Sequence, residues 1–209
     1  MASPFQTVVL EGEAVRLEPL TLSHVDALWS ATRGGRSTYA FTSVPGSPEE
    51  TVAYVKKALG MHASGDALPF ATVDRGSGQV VGSTRFFAAE RWDWPEGSPL
   101  RRPFGLDAIE IGYTWLAEAA QRTRINTEAK LLMLRHAFET WGVRRVNLKT
   151  DKRNLRSRNA IERIGGKLDG ILRANMPAFD GGVRDTALYS ILEAEWPQVK
   201  AALEARLRR

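Results

Sequence analysis

The 209-residue sequence contains no cysteine. That removes disulfides, thiolate metal sites and a cysteine nucleophile, and it accords with a reducing compartment. Histidine is scarce: of His24, His62 and His136, no two show metal-ligand spacing, so no metal centre is expected. No apolar run approaches the roughly 18 residues of a membrane span. The start "MASPFQTVVLEGEAVRL" lacks the basic-then-apolar order of a secretory signal, so a cytoplasmic protein without membrane attachment is expected. Glycine and proline are scattered rather than clustered, and no linker, low-complexity tract or fixed-period repeat appears. With 43% hydrophobic residues the chain can bury one sizeable core, and a single domain over residues 1–209 is expected.

Basic residues are in excess, with a net charge of +5, and they concentrate in "RRVNLKTDKRNLRSRNAIERIGGK". Such a segment reads either as a solvated face or as a surface for a polyanionic partner. No recognised nucleic-acid motif or aromatic-rich platform accompanies it, so nucleic acid is not the expected partner.

Patterning predicts a mixed α/β chain. Residues 14–20 alternate as a half-buried strand, and Leu22, Val25, Leu28 and Trp29 follow at helical spacing. "SPEETVAYVKKALG" has Ser47 as cap, Pro48 at the first helical position, Glu50 completing a capping box and Gly60 as stop. Strands are predicted at 69–74 and 79–87, joined by "RGSG", then at 108–116, 144–150, 167–173 and 185–192. Helices are predicted from Thr127 to about Thr140 with a stop at Gly142, after "NLRS" up to Gly165-Gly166, and at the end through Trp196, Val199, Leu203 and Leu207. Residues 88–107 form a long irregular loop holding Trp92 and Trp94. These tryptophans suit either an acceptor pocket or burial against the sheet, and Arg91, Arg101 and Arg102 would favour acidic acceptors if they faced the cleft.

The stretch "AAQRTRINTE" joins a strand to a helix, a place where phosphate is often cradled by a glycine-rich turn. This turn has no glycine.

The run "EIGYTWL…INTEAKLLMLRHAFETWGVRRVNLKTDKRNLRSRNAIERIGGKLDGILR" resembles the GNAT N-acetyltransferase superfamily, in its RimJ/RimL-like branch. The segments "LEGEAVRLEPLTLSHVDALW" and "RDTALYSILEAEWPQVKAAL" look like that branch's first and last strand–helix pairs. The resemblance implies a twisted mixed sheet of about seven strands flanked by helices and splayed between its fourth and fifth strands, here 108–116 and 144–150. It implies acetyl-CoA, or another acyl-CoA, in the gap as co-substrate. The amine acceptor would belong to a protein N-terminus or a small molecule.

Carried onto this sequence, the pantetheine arm would pair with backbone at Thr114, Trp115 and Leu116. The pyrophosphate would rest on Arg122, Thr123, Arg124, Ile125, Asn126 and Thr127. An amine must lose a proton before it attacks a thioester, and Glu110 in "EIG" is the expected acceptor, against a purely structural strand carboxylate. The tyrosine that many members place four residues before the helix-ending glycine is Ile161 here. The branch's asparagine and serine three apart match Asn154 and Ser157, with Ser157 as donor to the departing sulfur and Asn154 as a cofactor contact; both also suit helix capping. His136 is expected to be packed, and His24 to be structural or substrate-bordering. "R-T-R" stands where "G-T-G" is expected, which leaves two readings: remodelled cofactor binding through guanidinium groups, or a non-catalytic module with a decayed phosphate turn. The terminal strands also offer an edge for a homodimer.

Overall fold

The computed structural model describes residues 5–102 and 104–209; Met1 to Pro4 and the loop's Pro103 lie outside the described residues. One open sheet has eight strands: β1 (Leu10–Glu11), β2 (Val15–Pro19), β3 (Ala67–Asp74), β4 (Val80–Glu90), β5 (Ala108–Leu116), β6 (Arg145–Asp151), β7 (Lys167–Pro177) and β8 (Val183–Leu192). Their spatial order is β1-β2-β3-β4-β5-β6-β8-β7. All neighbours are antiparallel except β5 and β6, the pair joined by a helical crossover. The eighth strand is the two-residue β1, so the splayed pair is the fifth and sixth in chain order.

Five helices flank the sheet: α1 (Val25–Thr32), α2 (Pro48–Ala63), α3 (Arg124–Arg135), α4 (Leu155–Arg163) and α5 (Trp196–Leu207). α3 continues through a π turn over His136–Thr140 and ends where Gly142 takes φ +65°. None of the described helices is long and apolar enough to cross a membrane. Strand alternation divides the core. Phe86, Ile109, Ile111, Val146, Leu148, Tyr189 and Ile191 pack with α3 and α5, while Ala71 and Trp115 pack on the other face with Leu28, Val55 and Ala58 of α1 and α2.

Several strands run longer than predicted, β4 to Glu90 and β7 to Pro177 among them, and two helix boundaries move. α2 carries the expected Ser47 cap, whose hydroxyl accepts from the Glu50 N–H at 3.1 Å, but runs past Gly60 to Ala63. A glycine inside a helix costs only about 1 kcal/mol, and Val55 and Ala58 are fully buried around it. His62 therefore lies in the last turn of α2, not in a loop, and its Nδ1 meets the Ala67 carbonyl at 3.0 Å. α3 begins at Arg124 instead of Thr127, because Thr123 caps it by accepting from the Ile125 N–H at 3.3 Å.

Candidate functional site

β5 and β6 pair over only three positions, Ala108↔Arg145, Ile109↔Val146 and Glu110↔Asn147. β6 keeps its pairing with β8 to Asp151, whereas β5 bulges at Tyr113, at φ +51°, so the halves beyond Glu110 separate. The Ala117 N–H donates to the Val81 carbonyl at 2.7 Å, and a Cβ on Gly82 would lie 2.1 Å from the Trp115 oxygen. The Trp115 carbonyl thus faces β4, and by alternation Thr114 and Leu116 direct their backbone groups into the gap. The Leu116 carbonyl already accepts from Tyr39 Oη at 2.9 Å and Gln121 Nε2 at 3.0 Å. Of the three residues expected to pair with pantetheine, Thr114 and the Leu116 N–H remain open, while Trp115 contributes a buried ring.

The turn before α3 separates its two arginines. Arg122 holds φ +61°, the left-handed conformation for which glycine is the usual residue. Arg124 is the first residue of α3 and makes no such demand. The guanidinium of Arg122 is exposed and has no partner among the described residues, while that of Arg124 pairs with Glu13 at 3.1 Å. Ile125, Asn126 and Thr127 form the first helical turn. The N–H groups of Arg124 and Asn126 there have no intrahelical acceptor, which leaves an anion-binding end. A depression of about 520 Å³ flanks this turn on the β3–β4 hairpin side, but no residue of β5 or β6 lines it. A smaller one of about 200 Å³ lies at the start of α4, between Thr38, Phe41 and Asn154.

Glu110 projects from the face opposite α3 and is 7% exposed. Burial raises its pKa above the usual carboxylate value, opposed by Lys149 and Arg184. Lys149 Nζ sits 3.1 Å from Glu110 Oε2 and 5.5 Å over the Phe87 ring. Phe87 meets Tyr113 edge-on at 5.0 Å, and the Arg85 guanidinium lies 4.0 Å from the Tyr113 ring centre. A carboxylate and two aromatic rings therefore line the β4–β5 side of the gap, with the Lys149 ammonium reaching the carboxylate from β6, an arrangement that can take a proton from a bound amine.

Asn154 caps α4, its Oδ1 accepting from the Ser157 N–H at 3.1 Å. The Asn154 amide nitrogen and the Ser157 hydroxyl have no hydrogen-bond partner among the described residues, so capping leaves both free for a ligand. The loop tryptophans divide. Trp94 donates its indole N–H to Asp107 at 2.9 Å and lies 4.7 Å under Arg144, whereas the Trp92 side chain is 44% exposed. Burial opposes the charge of Asp107, but hydrogen bonds from the Trp92 N–H, the Trp94 indole and Arg144 outweigh it and lower its pKa. Arg102 pairs with Glu193, and Arg101 donates to the Trp94 carbonyl at 2.8 Å, so these two arginines hold the loop. His136 packs 4.5 Å from the Trp141 ring, and burial lowers its pKa. His24 closes the turn before α1, its Nδ1 accepting from the Thr21 N–H at 3.0 Å.

Sequence reasoning missed three polar residues. Glu128 receives the backbone N–H groups of Glu13, Ala14 and Val15 at 2.9, 2.7 and 2.8 Å. Lys130, 4% exposed, donates to Thr114 Oγ1 at 2.7 Å and Thr84 Oγ1 at 3.1 Å and has no carboxylate partner; burial lowers its pKa to about 7. Both lie among the buried, mainly apolar residues of α3, which was the available signal. Arg184 on β8, 9% exposed, lies within electrostatic reach of Asp151 and Glu110, and nothing in its local sequence marks it.

A model of the acetyltransferase (GNAT) domain matches residues 14–167. Among solved structures, a GCN5-related N-acetyltransferase from Brucella melitensis is 33% identical over 99% of this chain and 87% of its own, with a TM-score of 0.81. RimL, a ribosomal L7/L12 α-N-protein acetyltransferase in complex with coenzyme A, is 21% identical over 88% and 98% of the two chains, with a TM-score of 0.70. The microcin C7 self-immunity acetyltransferase MccE, in complex with acetyl-CoA and AMP, is 16% identical over 87% and 93%, also at 0.70. The latter two share the fold. No curated protein sequence matches significantly.

Proposed function

Because the chain belongs to the GNAT acetyltransferase family, we propose that it is an N-acyltransferase that moves an acetyl, or another acyl, group from acyl-CoA to a primary amine of a protein N-terminus or small molecule. Two solved structures of the same fold hold coenzyme A or acetyl-CoA. The observation that carries the reading is the gap beyond the Glu110↔Asn147 pair, with a buried carboxylate on one lip and the unpartnered Ser157 hydroxyl on the other side.

Acyl-CoA supplies an acyl group activated as a thioester. Thr114 and Leu116 offer backbone to the pantetheine, with Trp115 holding the strand from behind. The free N–H groups of Arg124 and Asn126, with the free Arg122 guanidinium, receive the pyrophosphate, and Asn154 Nδ2 adds a contact. Glu110 takes one proton from the acceptor ammonium, so that its lone pair can form the new C–N bond as the C–S bond breaks. Ser157 hydrogen-bonds the departing sulfur. Of the two protons the ammonium loses, one passes through Glu110 to solvent and the other ends on the thiol.

Arg124 is tied to Glu13, and the Leu116 carbonyl is already engaged. These two contacts favour a second reading, a GNAT-like binding module that has lost its phosphate turn. Two measurements separate the readings. The enzyme should release free thiol from acetyl-CoA with at least one member of a panel of peptide N-termini, polyamines, aminoglycosides and amino acids, and calorimetry should show saturable acetyl-CoA binding. Binding without turnover supports the module; neither binding nor turnover ends the enzyme reading.

A further inference from the structure

Besides Arg85, which stacks on Tyr113 and donates to the Met61 sulfur, three cations lie at this end of the sheet, and two of them have an obvious anion. Lys149 pairs with Glu110 at 3.1 Å, and Arg153 pairs with Asp151 at 2.8 Å and with Asp180 at 2.6 Å. Arg184 is the third. It lies on β8 within electrostatic reach of Glu110 and Asp151, yet it makes no ion pair or hydrogen bond among the described residues. Its Nε is sealed from solvent without a partner, and so is the hydroxyl of Thr186, two residues on and therefore on the same face. Arg184 is 9% exposed, and of its nitrogens only Nε is sealed, so the terminal nitrogens keep contact with solvent.

A buried guanidinium without an acceptor is costly, because its planar fork of donors is desolvated and unmatched. The local carboxylates Asp151 and Glu110 favour its charge only at a distance and accept none of its N–H groups, since each is bonded by its own cation. An oxyanion from a ligand would satisfy the fork bidentately, which is the geometry arginine presents to carboxylate and phosphate. Glu110, where the acceptor amine is received, is near enough to Arg184 to act on its charge.

We propose that Arg184 is a specificity-determining residue that binds an anionic group of the acceptor, so that the preferred substrates are small amines carrying a carboxylate or phosphate. This rests on the reading of Glu110 as proton acceptor. Polyamines and aminoglycosides, which bring only further positive charge, are disfavoured by the same guanidinium.

The test follows thiol release from acetyl-CoA with ω-amino acids from glycine to 6-aminohexanoate, their carboxamides, O-phosphoethanolamine and a polyamine. At least one carboxylate or phosphate acceptor should exceed its uncharged counterpart in kcat/KM by about ten- to a hundredfold, as for a charge-assisted pair. The carboxylate and phosphate arms identify which anion is used. In Arg184→Gln, with folding verified by thermal melting, that preference should collapse through KM. Amides or polyamines turned over as well as the anionic amines, or an undiminished preference in Arg184→Gln, would overturn the proposal while leaving acyl transfer intact. If no amine reacts, calorimetry with the N-acetylated ω-amino acids decides. Saturable binding that is lost in Arg184→Gln supports the anion site, and no binding to either protein overturns it.

Discussion

Arg122 and Arg124 stand two positions apart under opposite backbone demands, and substitution by glycine should separate them. At Arg122, φ +61° strains an L-residue by about 1–2 kcal/mol, which glycine relieves, offset by about 0.4–1 kcal/mol of unfolded-chain entropy. At Arg124, the first residue of α3, glycine relieves nothing and costs up to about 1 kcal/mol. Urea titration should therefore find R122G equal to or more stable than the parent and R124G less stable by about 1 kcal/mol. Equal losses for both would contradict the left-handed turn. At Glu110, Glu110→Gln should lower kcat/KM by about 10²- to 10⁴-fold with acetyl-CoA affinity unchanged. Burial raises the Glu110 pKa, so the rate should fall as pH drops through a value above the ordinary 4.5, and the variant should lose that acid limb.

At the scale of elements, most of the sheet was readable from alternation, and β5 matched at both ends because Ala108 follows an irregular loop and Leu116 precedes a turn. What alternation could not show were the bulges. Ala88, Tyr113 and Ala174 all take positive φ without being glycine, so no residue type announces them. The start of α3 was missed because Thr123 was taken for part of the turn rather than as its cap. The same helix carries Lys130 under the Tyr113 bulge, where its ammonium bridges Thr84 and Thr114. Its pKa of about 7 when folded lies below the ordinary lysine value of 10.5, so between these values the unfolded chain holds a proton that the folded chain does not. Stability should then rise with pH across that window, by at most about 1.4 kcal/mol per pH unit. Below pH 7 both states are protonated and the gain is absent. Denaturant midpoints from pH 7 to 10 check this, and Lys130→Met should flatten the slope; an unchanged slope would mean that Lys130 stays charged.

Across the whole molecule the proposed site draws on distant parts of the chain: Glu110 from β5, Lys149 from β6, Arg184 from β8 and Ser157 from α4. Glu110, Asn154 and Ser157 could be proposed from the sequence because motif residues surround them, whereas Lys149 meets Glu110, and Arg184 comes within electrostatic reach of it, only through strand order. That order also leaves β7 at the edge of the sheet, eleven residues long and largely exposed, with Leu168, Ile171, Leu172 and Met176 among its open side chains. A long apolar edge is a template for pairing, and soluble proteins usually cover or blunt one. β7 is interrupted by irregular register at Gly170 and around Ala174, but the stretch between keeps a free backbone edge. A second copy meeting it edge to edge is the occupant that suits a single-chain protein, provided each copy buries on the order of 800 Å². Sedimentation at micromolar concentration should therefore show a dimer, and Leu168→Lys with Ile171→Lys should yield monomers that still bind acetyl-CoA. A parent protein that sediments as a monomer would leave the β7 edge uncovered and end the dimer reading.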